Sequence, residues 1–281
     1  MSKNWKIFLL VIVWVIFFAG SWNFVSMVTD FIIKRPGGAR HLSDLEPATA
    51  AFSVTNPQGT KIEAWWYQGK HGAGAILLCH GHGVRHEEMR DVFEFLRKAG
   101  YSLLMLDFRA HGKSGGDYTS VGLHEWEDVD VVLKEAEKRG YLPPDVTLAA
   151  YGRSMGAATL ANGAVHLPRI QVFILESMYS ELRKVAANDA AHLLSLPDCF
   201  LIDLIFWNAF QRTGIQFFDS KPFEAVKNIY PRPLLLIHDA RDARVLNPDF
   251  ERVAKNASGA KTLVFSEAEH VRGHQTEPDD K

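Results

Sequence analysis

The first feature of the hydropathy pattern is an uninterrupted stretch without charge from Ile7 to Thr29. Twenty-three residues at about 1.5 Å each match the hydrocarbon thickness of a bilayer. Trp5 and Trp22 lie near its ends, Lys3 and Lys6 precede it, and Lys34, Arg35 and Arg40 follow it. Indoles favour the membrane interface, so the run is expected to be a single-pass anchor over residues 1–33. A cleaved signal peptide is the rival reading, with a core from Ile7 to Gly20 and small residues at Ala19-Gly20-Ser21. The apolar character continues to Ile33, which favours the uncleaved anchor. The short N-terminal tail favours placing the rest of the chain outside the cytoplasm, although the basic residues are nearly balanced across the run.

Residues 34–50 have the composition of a linker, with Arg35-Pro36-Gly37-Gly38 and Pro47. The pattern then changes to short apolar runs. Residues 51–56 and 60–67 flank a Pro57-Gln58-Gly59 turn and predict a hairpin. Runs at 75–79, 101–106, 145–150, 170–175, 234–238 and 261–265 predict strands. Between them, Met89, Val92, Phe93 and Leu96 recur at helical spacing over 87–99, ended by Gly100. Residues 124–139 and 155–166 also predict helices. Alternating strands and helices predict an α/β fold: a mostly parallel sheet with helices on both faces, occupying residues 51–281. Residues 181–228 interrupt the alternation with a helical, aromatic insert. It follows a sheet strand at its carboxyl end, where ligands bind in open α/β folds, and is expected to form a short cap.

Composition narrows the chemistry little. The chain has 281 residues, 31 Lys+Arg and 33 Asp+Glu, and the net charge of −2 leaves no footprint for nucleic acid. Cys79 sits in an apolar strand and Cys199 in another apolar stretch, so neither suggests a metal or a required disulfide.

The sharpest chemical signal is Gly152-Arg153-Ser154-Met155-Gly156. A strand runs into it and a helix leaves it, the setting of a nucleophile elbow. Glycines two residues either side let backbone approach a serine held in a tight turn. A serine hydroxyl needs a base, and the chain order for this constellation is nucleophile, acid, histidine. Asp242 is the expected acid, with Asp239 as rival nearer the strand end. His270 is the expected base, with His274 as rival. The Met155 N–H and the His82 N–H, in His80-Gly81-His82-Gly83, are the expected oxyanion donors. His80 and His82 have no carboxylate or cysteine at ligand spacing, so no metal is expected. Residues 107–116 are glycine-rich but lack phosphate-loop spacing; they are expected to be a structural loop braced by Asp107 and Arg109.

His80-Gly81, the 107–116 segment, the elbow, Leu175-Glu176-Ser177, the 238–242 segment and His270 occur in an order that resembles the α/β-hydrolases. The resemblance covers about residues 50 to 275. It is nearest the esterase, thioesterase and lysophospholipase-like branch, also called serine aminopeptidase-like. It implies a serine hydrolase that needs no cofactor and cleaves a small acyl ester or thioester. The other classes open to the same fold are a non-catalytic binding protein, a peptidase, and a haloperoxidase or lyase. Members of the family usually carry glycine where Ala110 and Asp239 stand. They usually continue into a helix after the histidine loop, whereas this sequence stops 11 residues past His270. Oligomeric state is not legible.

Overall fold

A computed structural model describes residues 20–34 and 45–276. Eight strands form one sheet in the order β1-β2-β4-β3-β5-β6-β7-β8. They are β1 (Ala50–Thr55), β2 (Lys61–Tyr67), β3 (Ala75–Cys79), β4 (Ser102–Asp107), β5 (Leu148–Arg153), β6 (Val172–Glu176), β7 (Leu234–Asp239) and β8 (Lys261–Phe265). The predicted hairpin is β1–β2, and β2 pairs antiparallel with β4. All later pairs are parallel.

Side-chain alternation divides the core. Leu77, Cys79, Leu104 and Leu106 enter the larger cluster on one face. Ile76, Leu78, Leu103 and Met105 enter a second cluster on the other. A strand buried on both faces must be apolar throughout, which is why β3 reads as an unbroken run. The burial of Cys79 pushes its thiol pKa up, the behaviour of a small core hydrophobe.

Helices α2 (Arg90–Ala99), α3 (Trp126–Lys138) and α4 (Met155–Asn162) pack on the sheet, and α8 (Asn247–Asn256) lies between β7 and β8 along the chain. A 3₁₀ turn, His86–Met89, replaces the first turn expected for α2. β5 lies three residues later than its apolar run suggested. Parallel ladders with β3 and β6 carry it through Gly152↔Cys79 and Arg153↔Glu176, into the elbow itself.

The 181–228 insert folds in two parts. Helices α5 (Leu182–Leu194) and α6 (Phe200–Thr213) pack against each other. The rest, including the short α7 (Pro222–Ala225), returns to pack on α4 and α8. A last short helix, α9 (Gly273–Thr276), contains the rival His274.

The N-terminal run departs most from expectation. Its first 19 residues lie outside the described residues. Residues 20–33 form a helix, α1, seated on the domain. Val25, Thr29 and Ile33, at i, i+4 and i+8, are fully buried. Asp30 pairs with Arg212 of α6, and Trp22 meets Trp207 edge to face with centroids 6.0 Å apart. Among the described residues no helix is long and apolar enough to cross a membrane. Parts of the 34–50 segment contact the domain. Lys34 bridges to Tyr118, and Leu45 and Ala48 pack against the second core cluster. Residues 35–44 lie outside the described residues.

Candidate active site

Ser154 stands between β5 and α4 with φ +48° and ψ −111°. This backbone position is costly for a residue with a Cβ and is held by its surroundings. The Ser154 N–H donates to the Glu176 carbonyl at 2.9 Å. A Cβ at Gly152 would overlap the backbone of Gly156 and Ala157, and one at Gly156 would overlap the Cys79 carbonyl. Both glycines of the motif are thus demanded by close backbone approach. Met155 opens α4, so its N–H has no intrahelical acceptor. That donor and the positive end of the helix favour negative charge beside the serine.

The loops after β7 and β8 bring Asp242 and His270 together. His270 Nδ1 and Asp242 Oδ2 are 2.5 Å apart. Asp242 Oδ1 accepts the N–H groups of Arg244 and Val245, at 2.8 and 2.9 Å. Both oxygens of this carboxylate are engaged, Oδ1 by two backbone N–H groups and Oδ2 by the His270 ring. Asp239 has a different task. Its Oδ2 accepts the Ser177 hydroxyl at 2.8 Å and the Val271 N–H at 2.7 Å, tying the histidine loop to the end of β6.

The loop with His82 rests on buried histidines whose tautomers follow from their partners. His80 Nε2 accepts the Phe108 N–H, so its Nδ1–H donates to the Gly81 carbonyl at 2.7 Å. His111 Nε2 accepts the Gly83 N–H at 3.1 Å, so its Nδ1–H donates to the Arg109 carbonyl. Burial pushes both pKa values down to about 4. An unfolded histidine titrates near pH 6.5. Between about pH 6.5 and 4 the unfolded chain therefore binds more protons than the folded one, and stability falls as pH falls. Urea midpoints measured from pH 7 to pH 5, above the carboxylate range, are expected to decline. A flat profile would contradict two buried neutral histidines.

The 107–116 loop is braced as its sequence suggested. Asp107 accepts the N–H groups of His86 and Lys113 at 2.8 and 2.7 Å. Arg109 chelates Asp128, with Nη2 2.7 Å from Oδ1. Ala110, where the resemblance led glycine to be expected, adopts φ +58°, a conformation glycine takes more readily. One group of possible metal ligands converges among the described residues: His86, Glu87 and Asp107. Its atoms already serve each other and Arg85, and the His86 ring stacks on Trp65 at 3.7 Å.

Ser154, Met155 and His82 open onto a cavity of about 440 Å³. Its walls are nearly all apolar, from α1, α5, α6, Val121 and Tyr179. The charged residues lining it, Asp189 and Arg244, are paired with each other at 2.7 Å. Sequence reasoning missed the α1 and Val121 contributions. A detectable signal was the placement of polar Ser26, Thr29 and Asp30 inside the apolar run.

The sheet order, the strained serine at the end of β5 and the loops after β7 and β8 match known folds. A family model for serine aminopeptidase S33 matches residues 70–202. The structure of the Pyrococcus furiosus esterase Pf2001 is similar, with TM-score 0.70 and 26% identity over 89% of this chain and 94% of that one. The chain belongs to the α/β-hydrolase superfamily. This α/β-hydrolase is also 25% identical over 262 residues to the uncharacterized protein YqkD of Bacillus subtilis, covering 89% of this chain and 84% of the relative. An acylaminoacyl peptidase from Pyrococcus horikoshii shares the fold, with TM-score 0.62 and 17% identity over 85% of this chain and 40% of that one.

Proposed function

We propose that this α/β-hydrolase is a serine esterase that cleaves carboxylic esters or thioesters carrying a lipophilic acyl chain. The observation that carries this reading is the 2.5 Å His270–Asp242 contact on the sheet edge that also bears the strained Ser154. In this reading His270 Nε2 takes the Ser154 hydroxyl proton as Oγ attacks the carbonyl carbon. The tetrahedral oxyanion forms against the Met155 and His82 N–H groups. His270 then protonates the leaving alcohol or thiol as its bond to carbon breaks, and an acyl-enzyme remains. Water, deprotonated by His270, attacks that ester; the carboxylic acid leaves and the Ser154 proton returns. Asp242 holds the imidazole tautomer and stabilises the imidazolium. No cofactor is required by these steps.

The apolar cavity supports a lipophilic chain over a peptide. An aminopeptidase needs a free carboxylate for the substrate ammonium, and Asp189, the carboxylate on the cavity wall, is tied to Arg244. The esterase activity named for Pf2001 agrees with the reading. A fluorophosphonate probe is expected to label the native protein at Ser154, read by mass spectrometry. An unlabelled protein would remove the serine-hydrolase reading.

We also propose that the N-terminal run attaches the enzyme to a membrane, with the catalytic domain on the side away from the N-terminus. With residues 20–33 on the domain, Ile7 to Ala19 are left for the bilayer. This uncharged segment, which lies outside the described residues, is what supports the attachment. In a bacterial host, a C-terminal alkaline phosphatase fusion is expected to be active. An inactive phosphatase fusion beside a fluorescent GFP fusion would place the domain in the cytoplasm and overturn the orientation.

A further inference from the structure

The N-terminal helix meets the active site at two places. Val28 and Ile32 of α1 are half-buried on the cavity wall, opposite α5 and α6, and Phe24, Met27 and Phe31 continue that wall toward the rim. The last turn of α1 also bonds to the loops beneath it. A helix C-terminus leaves its final carbonyls without intrahelical donors. Here the Ile32 carbonyl accepts from His82 Nε2 at 2.8 Å, and the Ile33 carbonyl accepts the Thr119 N–H at 2.9 Å. A carbonyl only accepts, so His82 carries its proton on Nε2. His82 is therefore held through its ring by α1, while its backbone N–H faces the serine site in the proposed mechanism.

We propose that α1 is a working part of the active site, setting acyl-chain selectivity through Val28 and positioning the oxyanion loop through the Ile32–His82 bond. This inference rests on the serine-esterase reading above. The two halves act on different kinetic quantities. A wall residue discriminates between long and short chains, because a longer chain loses more apolar contact when the wall moves. A positioning bond acts on the transition state, because a displaced N–H no longer meets the oxyanion and turnover falls for every chain length. The His82 side chain is a positioning group; its backbone N–H is the group placed against the reacting oxygen.

The full chain in detergent provides the test, with p-nitrophenyl acetate and dodecanoate as substrates. Val28→Trp is expected to lower the dodecanoate-to-acetate ratio of kcat/KM at least about tenfold. Val28→Ala, which keeps the helix and enlarges the wall, is expected to change the same ratio by about threefold or more, and it decides the matter if the tryptophan variant does not fold. His82→Ala keeps the backbone N–H and deletes the ring. It is expected to lower kcat about tenfold on both esters with little change in KM. His82→Gln, whose amide N–H can reach the Ile32 carbonyl, is expected to recover most of that loss. An unchanged selectivity ratio in both Val28 variants would overturn the wall. Unchanged kcat in His82→Ala, or no recovery in His82→Gln, would overturn the positioning bond. Fluorophosphonate labelling separates the levels of failure. A labelled wild type with unmoved ratios removes α1 from the site, whereas an unlabelled wild type removes the esterase reading and this inference together.

Discussion

Ser154→Ala is expected to lower turnover of short p-nitrophenyl esters by on the order of 10⁶-fold, the loss measured when a serine protease loses its nucleophile. The argument is geometric. Ser154 occupies a left-handed conformation that non-glycine residues avoid, and two glycines are placed so that backbone can crowd around it. Strain of this kind persists only where the surroundings enforce it. Alanine tolerates the same φ at a similar cost, so circular dichroism and the thermal midpoint are expected to stay near wild type. The loss would then belong to the missing hydroxyl. A variant that kept near wild-type turnover would show that the chemistry uses a different nucleophile.

Asp242→Asn is expected to lower kcat about 10⁴-fold, because an amide in that place can stabilise the wrong imidazole tautomer and cannot balance the imidazolium. Asp239→Asn is expected to keep kcat within about tenfold and to lower the thermal midpoint. The structure separates the two residues. Asp242 contacts His270 Nδ1 and takes two backbone N–H groups on its other oxygen. Asp239 instead receives the Ser177 hydroxyl and the Val271 N–H, and burial raises its pKa. Its loss loosens the loop that carries His270 without removing the histidine's partner. Steady-state kinetics beside thermal melts of both variants make the comparison. A larger kinetic loss at Asp239 would reverse the assignment.

Much of this geometry was readable before the fold was known. The apolar run at 75–79 is a strand with those bounds, because a buried parallel strand leaves no polar position to blur its ends. The elbow was equally legible, since its glycines answer a local steric demand that sequence spacing records. Asp242 and Asp239 were harder to separate. Asp239 ends β7 and Asp242 follows three residues later, and only the path of the next loop decides which one meets His270.

The N-terminal helix marks the boundary between local and tertiary information. An uncharged run from Ile7 to Thr29 has the same hydropathy whether its neighbours are lipid tails or apolar side chains, because both remove the same surface from water. Sequence by itself therefore determined an apolar helix, a parallel sheet, a serine in a strained turn, and an acid and histidine after the last strands. It could not determine where residues 20–33 lie. That depended on Val25, Thr29 and Ile33 meeting the core, on Arg212 reaching Asp30, and on the Ile32 carbonyl finding His82 fifty residues away. Each of these partners is distant along the chain, so no local pattern encodes the contact. Only the closed fold, which brings the cap helices and the His80–Gly83 loop to one edge of the sheet, makes α1 a wall of the cavity over Ser154.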